Sequence, residues 1–144
     1  MSVPFLVNVD DTQEFVSDYS TARWIIHPPE PYKAAKLNAR QMANVSVDMV
    51  GVDPDSPDYT AEFIKRSTLK DPDLPTDIQY EWVMLGLSEI VGPDGESIDD
   101  FDLDFLHKRV PFEAIRDVAN EIAGLATVDA VTEKNLGSPS ASKD

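Results

Sequence analysis

The sequence contains no cysteine, so it can form neither disulfide bonds nor thiolate metal sites. It also contains only two histidines, His27 and His107, which limits general acid-base catalysis. Neither histidine lies in a catalytic motif, no Gly-x-Ser-x-Gly segment is present, and the scattered glycines form no phosphate-binding loop. The sequence therefore predicts no catalytic residues and no cofactor.

Long apolar segments are missing as well. Residues 1–10 carry no basic region and too short an apolar run for a signal peptide. No segment approaches the roughly 20 apolar residues that a membrane-spanning helix needs. We therefore expect a cytoplasmic protein that does not bind membranes.

Basic residues are few, with 12 Lys and Arg against 27 Asp and Glu, a formal net charge of -15. Residues 1–70 hold 10 acids and 7 bases, whereas residues 71–144 hold 17 acids and 5 bases. Nucleic-acid affinity depends largely on Lys and Arg that displace counterions from phosphates, and this charge repels phosphates. Direct binding of DNA or RNA is therefore not expected.

Aspartates are abundant, which raises the question of a calcium site. Asp53, Asp55 and Asp58 offer three carboxylates in a short loop, and a second cluster lies between residues 99 and 104. Neither cluster has the central glycine and distal glutamate of a calcium-binding loop, and the first contains two prolines. Helix capping and solubility explain both clusters better, so no metal site is predicted.

With 144 residues, of which 42% are hydrophobic, the chain has the size and apolar content of one folded domain. Apolar runs at residues 5–9 and 24–26 suggest two short strands that pair. Helical spacing and proline-containing starts elsewhere predict a mainly α fold, a small helical domain with a short N-terminal strand pair. The expected helices span about residues 31–44, 58–67, 76–91, 101–109 and 111–125.

The segment 76–91 is apolar on most of its circumference, which predicts a central core helix that ends at the turn formed by residues 92–95. A β-hairpin over residues 87–98 is the alternative, but the long apolar period favours the helix. Whether this apolar surface closes an internal core or mediates self-association stays open. From about residue 129 the pattern dissolves, so we expect a domain over 1–128 and a disordered tail over 129–144.

The predicted helix at 31–44 carries Lys33, Lys36 and Arg40 at helical spacing, which gives a basic stripe on an acidic protein. Such rows are most often solvated helix faces that are balanced by the protein's own carboxylates. The alternative is a docking face for an acidic partner.

Several features follow one another in a characteristic order along residues 24–140. A Trp-Ile-Ile-His-Pro-Pro-Glu run precedes a helix rich in Lys, Arg and Ala, and a variable acidic loop follows. The features that come next are an apolar helix that ends in the turn at 92–96, the segment 102–106, the helix at 111–125, and a Glu-Lys-Asn-Leu tail at 133–136.

This order resembles the tail assembly chaperones of long-tailed bacteriophages. The resemblance implies a protein that binds the aggregation-prone tape measure protein and helps the tail tube protein to polymerise around it. In many such families a translational frameshift also yields a longer second form. The resemblance rests on turn and helix patterns rather than on a specific motif.

A chaperone of this kind needs exposed apolar side chains that contact its client. The aromatic candidates are Trp24, Tyr32, Tyr59 and Phe63, although core packing is the commoner role for each of them. The alternative functions are an acidic DNA-mimic inhibitor of a nucleic-acid-binding enzyme, which the acidic second half suggests, and a structural virion component.

Overall fold

The computed structural model describes residues 6–126, and the fold is a mixture of helices and antiparallel sheet. The expectation of a mainly α protein is therefore wrong. Within residues 6–126 the strands are β1 (Gln13–Val16), β2 (Arg23–Ile26), β3 (Val45–Val47), β4 (Ser67–Leu69), β5 (Leu87–Val91) and β6 (Ser97–Ile98). The helices over this range are α1 (Pro31–Ala43), α2 (Tyr59–Arg66), α3 (Leu74–Gly86), α4 (Leu103–Arg109) and α5 (Phe112–Leu125).

One antiparallel sheet has the strand order β1-β2-β5-β6, and β3 pairs with β4 in a separate two-stranded sheet. Trp24 and Ile26 alternate with more exposed neighbours along β2, so one face of the larger sheet is buried. That face shares a single hydrophobic core with α3 and α5, to which Ile115, Val118 and Ile122 contribute fully buried side chains. Burying each of these side chains stabilises the fold by roughly 1.5–3 kcal/mol.

The segment expected to form one helix over 76–91 is divided between two elements. Helix α3 ends at Gly86, and β5 begins at the next residue. Strand β5 pairs with both β2 and β6. The pairing of β5 with β6 is the β-hairpin over residues 87–98 that was the less favoured alternative to the helix. Hydrophobic periodicity could not distinguish a helix from a strand in this segment, because a strand buried in a sheet is as apolar as a buried helix.

The Gly-Pro-Asp-Gly segment at residues 92–95 forms the turn of that hairpin. Gly92 donates its N–H to Glu96 O at 2.7 Å, and Gly95 adopts a φ of +88°, a conformation that glycine accommodates without steric cost. The turn at 92–95 was predicted, but it closes a hairpin instead of ending a helix.

The N-terminal strand pair forms with a different first strand. Strand β2 lies at the predicted Trp-Ile-Ile run, but its partner β1 lies at Gln13–Val16 and not at residues 5–9. Residue 5 lies outside the described residues, and residues 6–9 form no strand. In β1, the half-buried Phe15 pairs with Trp24 across the strands.

The remaining helices lie close to their expected positions. Helix α1 begins at Pro31 and α5 follows Pro111, as proline at a helix start permits. Helix α4 is capped by Asp102, whose side chain accepts the N–H of Phe105 at 2.8 Å, and not by either of the two preceding aspartates. The predicted tail at 129–144 lies outside the described residues.

Residues 45–70 form an arm that contains β3, the acidic loop, α2 and β4, and none of these residues is buried. Asn44 joins the arm to the domain, and its buried side chain bridges the two ends of the arm. Its Nδ2 donates to Asp71 O at 2.9 Å, and its Oδ1 accepts the N–H of Asp71 at 2.8 Å. Its backbone carbonyl also accepts the N–H of Lys70 at 2.8 Å.

Replacing Gly86 by alanine is expected to destabilise the protein by about 1–3 kcal/mol because the new methyl group would overpack the core. A Cβ at this position would lie 2.8 Å from the backbone oxygen of His27 and closer still to Ile122 Cγ2. Gly124→Ala is the matched control, since a Cβ there meets nothing within 4 Å. In a helix this second change should be neutral or stabilising by up to about 1 kcal/mol. Urea denaturation of both variants measures the difference, and equal midpoints would contradict the close packing.

Asn44→Ala removes both side-chain hydrogen bonds to Asp71 and leaves the N–H and the carbonyl of Asp71 without those partners. We expect a loss of about 1–3 kcal/mol of stability and faster amide hydrogen exchange throughout residues 45–70. Thr68→Ala is the control, because its hydroxyl makes only an exposed 3.4 Å hydrogen bond to Ser46 O. If hydrogen exchange in the arm were unchanged in Asn44→Ala, the Asn44 side chain would not be what holds the two ends of the arm together.

Candidate protein-binding groove

A groove of about 400 Å³ lies between α1 and α3. Residues 33, 36, 37 and 40 of α1 lie on one face of that helix because they are three or four positions apart, and residues 81, 84 and 85 of α3 do the same. The lining side chains are Lys33, Lys36, Leu37, Arg40, Glu81, Met84 and Leu85.

The floor of the groove is apolar. Leu37 is buried and Leu85 is half-buried, so both belong largely to the domain interior. Met84 is 41% exposed, although its neighbours Trp82 and Val83 on the same helix are buried. A flexible, polarisable thioether at a binding surface adapts to differently shaped apolar partners.

The rim of the groove is basic, with three cations and one carboxylate. Arg40 donates from Nη1 to Glu81 Oε1 at 2.7 Å, and this hydrogen bond raises the pKa of the Arg40 guanidinium. Lys33 lies 3.7 Å from Glu30 in an exposed ion pair. The Nζ of Lys36 lies 5.4 Å from the centre of the Tyr32 ring, and Lys36 forms no ion pair within residues 6–126. The rim therefore keeps a net positive charge on an acidic protein.

A second hollow of about 380 Å³ extends the groove toward the larger sheet. It shares Lys33, Met84 and Leu85 with the groove, so the two depressions adjoin each other. Its other lining residues include Asp10 and Glu30, which make this end acidic. An elongated ligand would thus meet positive charge at one end and negative charge at the other.

The structure brings together some of the residues predicted to bind a partner and separates others. Lys33, Lys36 and Arg40 all line the groove, and Tyr32 lies beside them with 72% of its surface exposed. Trp24 is only 1% exposed and packs in the core, so it is no part of this surface. Tyr59 and Phe63 lie on α2, within the arm.

The groove also uses residues that the sequence analysis assigned to the core helix. Met84 and Leu85 lie in the segment 76–91, for which burial in a core and self-association both stayed open, and Glu81 was not singled out. Met84 and Leu85 lie three and four residues after Glu81 on α3, and this spacing indicates a shared face. No local signal shows that this face turns toward α1, because that depends on how the two helices pack.

Of the two histidines considered for catalysis, His27 lines the second hollow, whereas His107 lines neither depression. His27 Nδ1 is 2.9 Å from Pro28 O, and the ring of His107 contacts Tyr80 edge-on with ring centres 4.5 Å apart. Over residues 6–126, no group of three or more histidine, aspartate or glutamate side chains is placed to hold a metal ion. None of the helices in the same part is long and apolar enough to cross a membrane.

The acidic loop of the arm is shaped by its aspartates. Asp48 Oδ1 accepts the N–H of Val50 at 3.1 Å, and Asp53 Oδ1 accepts the N–H of Asp55 at 3.0 Å. Short aspartate side chains stabilise turns in this way. Arg66 holds the loop against α2, since its Nη1 donates to the carbonyls of Asp48 and Val50, each at 3.2 Å.

Arg66 also donates from Nε to Glu62 at 2.8 Å, and this hydrogen bond lowers the pKa of the Glu62 carboxyl group. The loop, α2 and the Glu62–Arg66 pair thus form one connected unit.

Comparison of the chain with protein-family models, with curated proteins and with solved structures found no match.

Proposed function

We propose that this protein is an assembly chaperone whose groove binds an amphipathic helix of a client protein. The groove between α1 and α3 carries the proposal, because it combines an apolar floor with a cationic rim. A helix that presents apolar side chains at i, i+3 or i+4 and acidic residues beside them matches both features.

The charge of the rest of the protein supports a chaperone role. A net charge of -15 keeps a complex with an aggregation-prone client dissolved, because complexes of like charge repel one another. The same charge would repel acidic client segments everywhere except near a cationic surface. The rim of the groove supplies such a surface, which makes it the preferred position for an acidic amphipathic helix.

The resemblance to tail assembly chaperones suggests the client. On this proposal the client is the tape measure protein of a long-tailed bacteriophage, and the protein keeps it soluble in the host cytoplasm until tail tube subunits assemble around it. The order of features along residues 24–140 supports this identity, whereas the groove supports the mode of binding.

Met84→Asp tests the groove, because it places a charge on the apolar floor at a residue whose partial exposure lets the fold tolerate the change. Co-expression of the unmodified protein should raise the soluble yield of the tape measure protein encoded in the same genome. Met84→Asp should lose most of that gain and should no longer co-purify with the client. Burying an unpaired carboxylate against an apolar helix costs several kcal/mol.

Met42→Asp is the matched control, since Met42 also lies on a helix, is 77% exposed, and does not line the groove. This variant should retain the full effect on client solubility. Equal activity of the two variants would reject the groove as the binding site. A client whose solubility does not respond to the unmodified protein would reject the chaperone function itself.

A further inference from the structure

We propose that the groove also receives the arm of a second copy of this chain, so that the protein self-associates through reciprocal contacts between arm and groove. The occupying part is the arm tip, defined as residues 48–58. This inference uses the same groove as the proposed function, but it does not require the client.

The arm tip is acidic. It contains Asp48, Asp53, Asp55 and Asp58 and no lysine or arginine. None of these carboxylates forms an ion pair with any residue in the range 6–126, and the side chains of Asp55 and Asp58 make no hydrogen bond there. The tip therefore carries four negative charges that no ion pair within residues 6–126 neutralises.

Apolar side chains accompany these charges. Val50 is 83% exposed within the tip itself, and Ile64 and Phe63 are exposed on the adjoining helix α2. The tip thus offers an exposed apolar residue among carboxylates, whereas the groove offers an exposed methionine among cations. The two surfaces complement each other in both charge and polarity.

The arm is prepared for docking because its shape is already fixed. Arg66 holds the carbonyls of Asp48 and Val50, and Asn44 bridges the two ends of the arm. A segment that is ordered before it binds loses less conformational entropy on association.

The groove is not filled by the arm of the same chain. No ion pair joins the tip carboxylates to Lys33, Lys36 or Arg40 within residues 6–126, and no tip residue lines the groove. A second copy carries both surfaces, so a twofold arrangement makes each contact twice and satisfies both grooves at once. Such a dimer covers the apolar floor until a client displaces the arm.

A charge exchange between the two surfaces tests this inference. Asp55→Lys/Asp58→Lys takes the net charge of the arm tip from -4 to 0 and leaves both aspartate-stabilised turns in place, whereas Lys33→Glu/Lys36→Glu reverses the charge of the groove rim. The first variant loses the net attraction between its own tip and rim, and the second opposes a negative tip to a negative rim. When the two are mixed, the unmodified tip meets the unmodified rim and the introduced lysines meet the introduced glutamates, so both contacts of the dimer become favourable again.

Sedimentation velocity at low salt should show dimers of the unmodified protein that dissociate as salt is raised, because exposed charges are screened. Each double variant alone should dimerise at least about tenfold more weakly, and the equimolar mixture should recover most of the lost affinity. Lys108→Glu/Arg109→Glu makes the same charge change on α4, outside the groove, and should dimerise like the unmodified protein.

An unmodified protein that stays monomeric up to about 1 mM would overturn the inference. So would double variants that dimerise normally, or a mixture that recovers nothing. Client binding separates this result from the proposed function, because Asp55→Lys/Asp58→Lys keeps the groove intact. If this variant and the unmodified protein bind the client equally well at a concentration where neither dimerises, only the self-association is lost.

Discussion

The contact of Gly86 with Ile122 and with the backbone of His27 determines how the rest of the molecule is arranged. Gly86 O accepts the N–H of His27 at 2.8 Å, which joins the end of α3 to the end of β2. The missing side chain lets α5 approach at the same point through Ile122. Because helix and strand meet there, β5 enters the sheet beside β2 while α3 stays against α1. The groove therefore depends on a contact that lies one residue beyond Leu85, at the C-terminal end of α3.

The distribution of charge is the second constraint. At a net charge of -15, apolar surface on this protein is accessible to an acidic partner only where cations offset the general repulsion. Helix α1 provides three cations on one face, and Glu81 neutralises only one of them within the groove. The ion pairs themselves are exposed and contribute little stability. On the proposed function, these charges act on the approach and orientation of the client, because exposed charges influence association more than stability.

Local chemistry predicted the elements that depend on local interactions. Helices α1 and α5 have prolines at their starts and apolar residues at helical spacing, and both were predicted to within a few residues. The segment 76–91 was misassigned because the change from helix to strand at Gly86 depends on packing against α5, which no neighbouring residue encodes. Strand β1 was missed for a related reason, since it is recruited by pairing with β2 and lacks a strong apolar pattern of its own.

The candidate site shows the same division between local and tertiary information. The spacing of Lys33, Lys36 and Arg40 predicted their shared face, because helical geometry alone determines it. Their proximity to Met84 depends on the packing of α1 against α3, and the burial of Trp24 depends on the sheet around it. A sequence therefore reveals the charged side of such a groove more readily than its apolar side. Exposed charge has no competing role in the core, whereas every apolar residue on a helix is by default a candidate for burial.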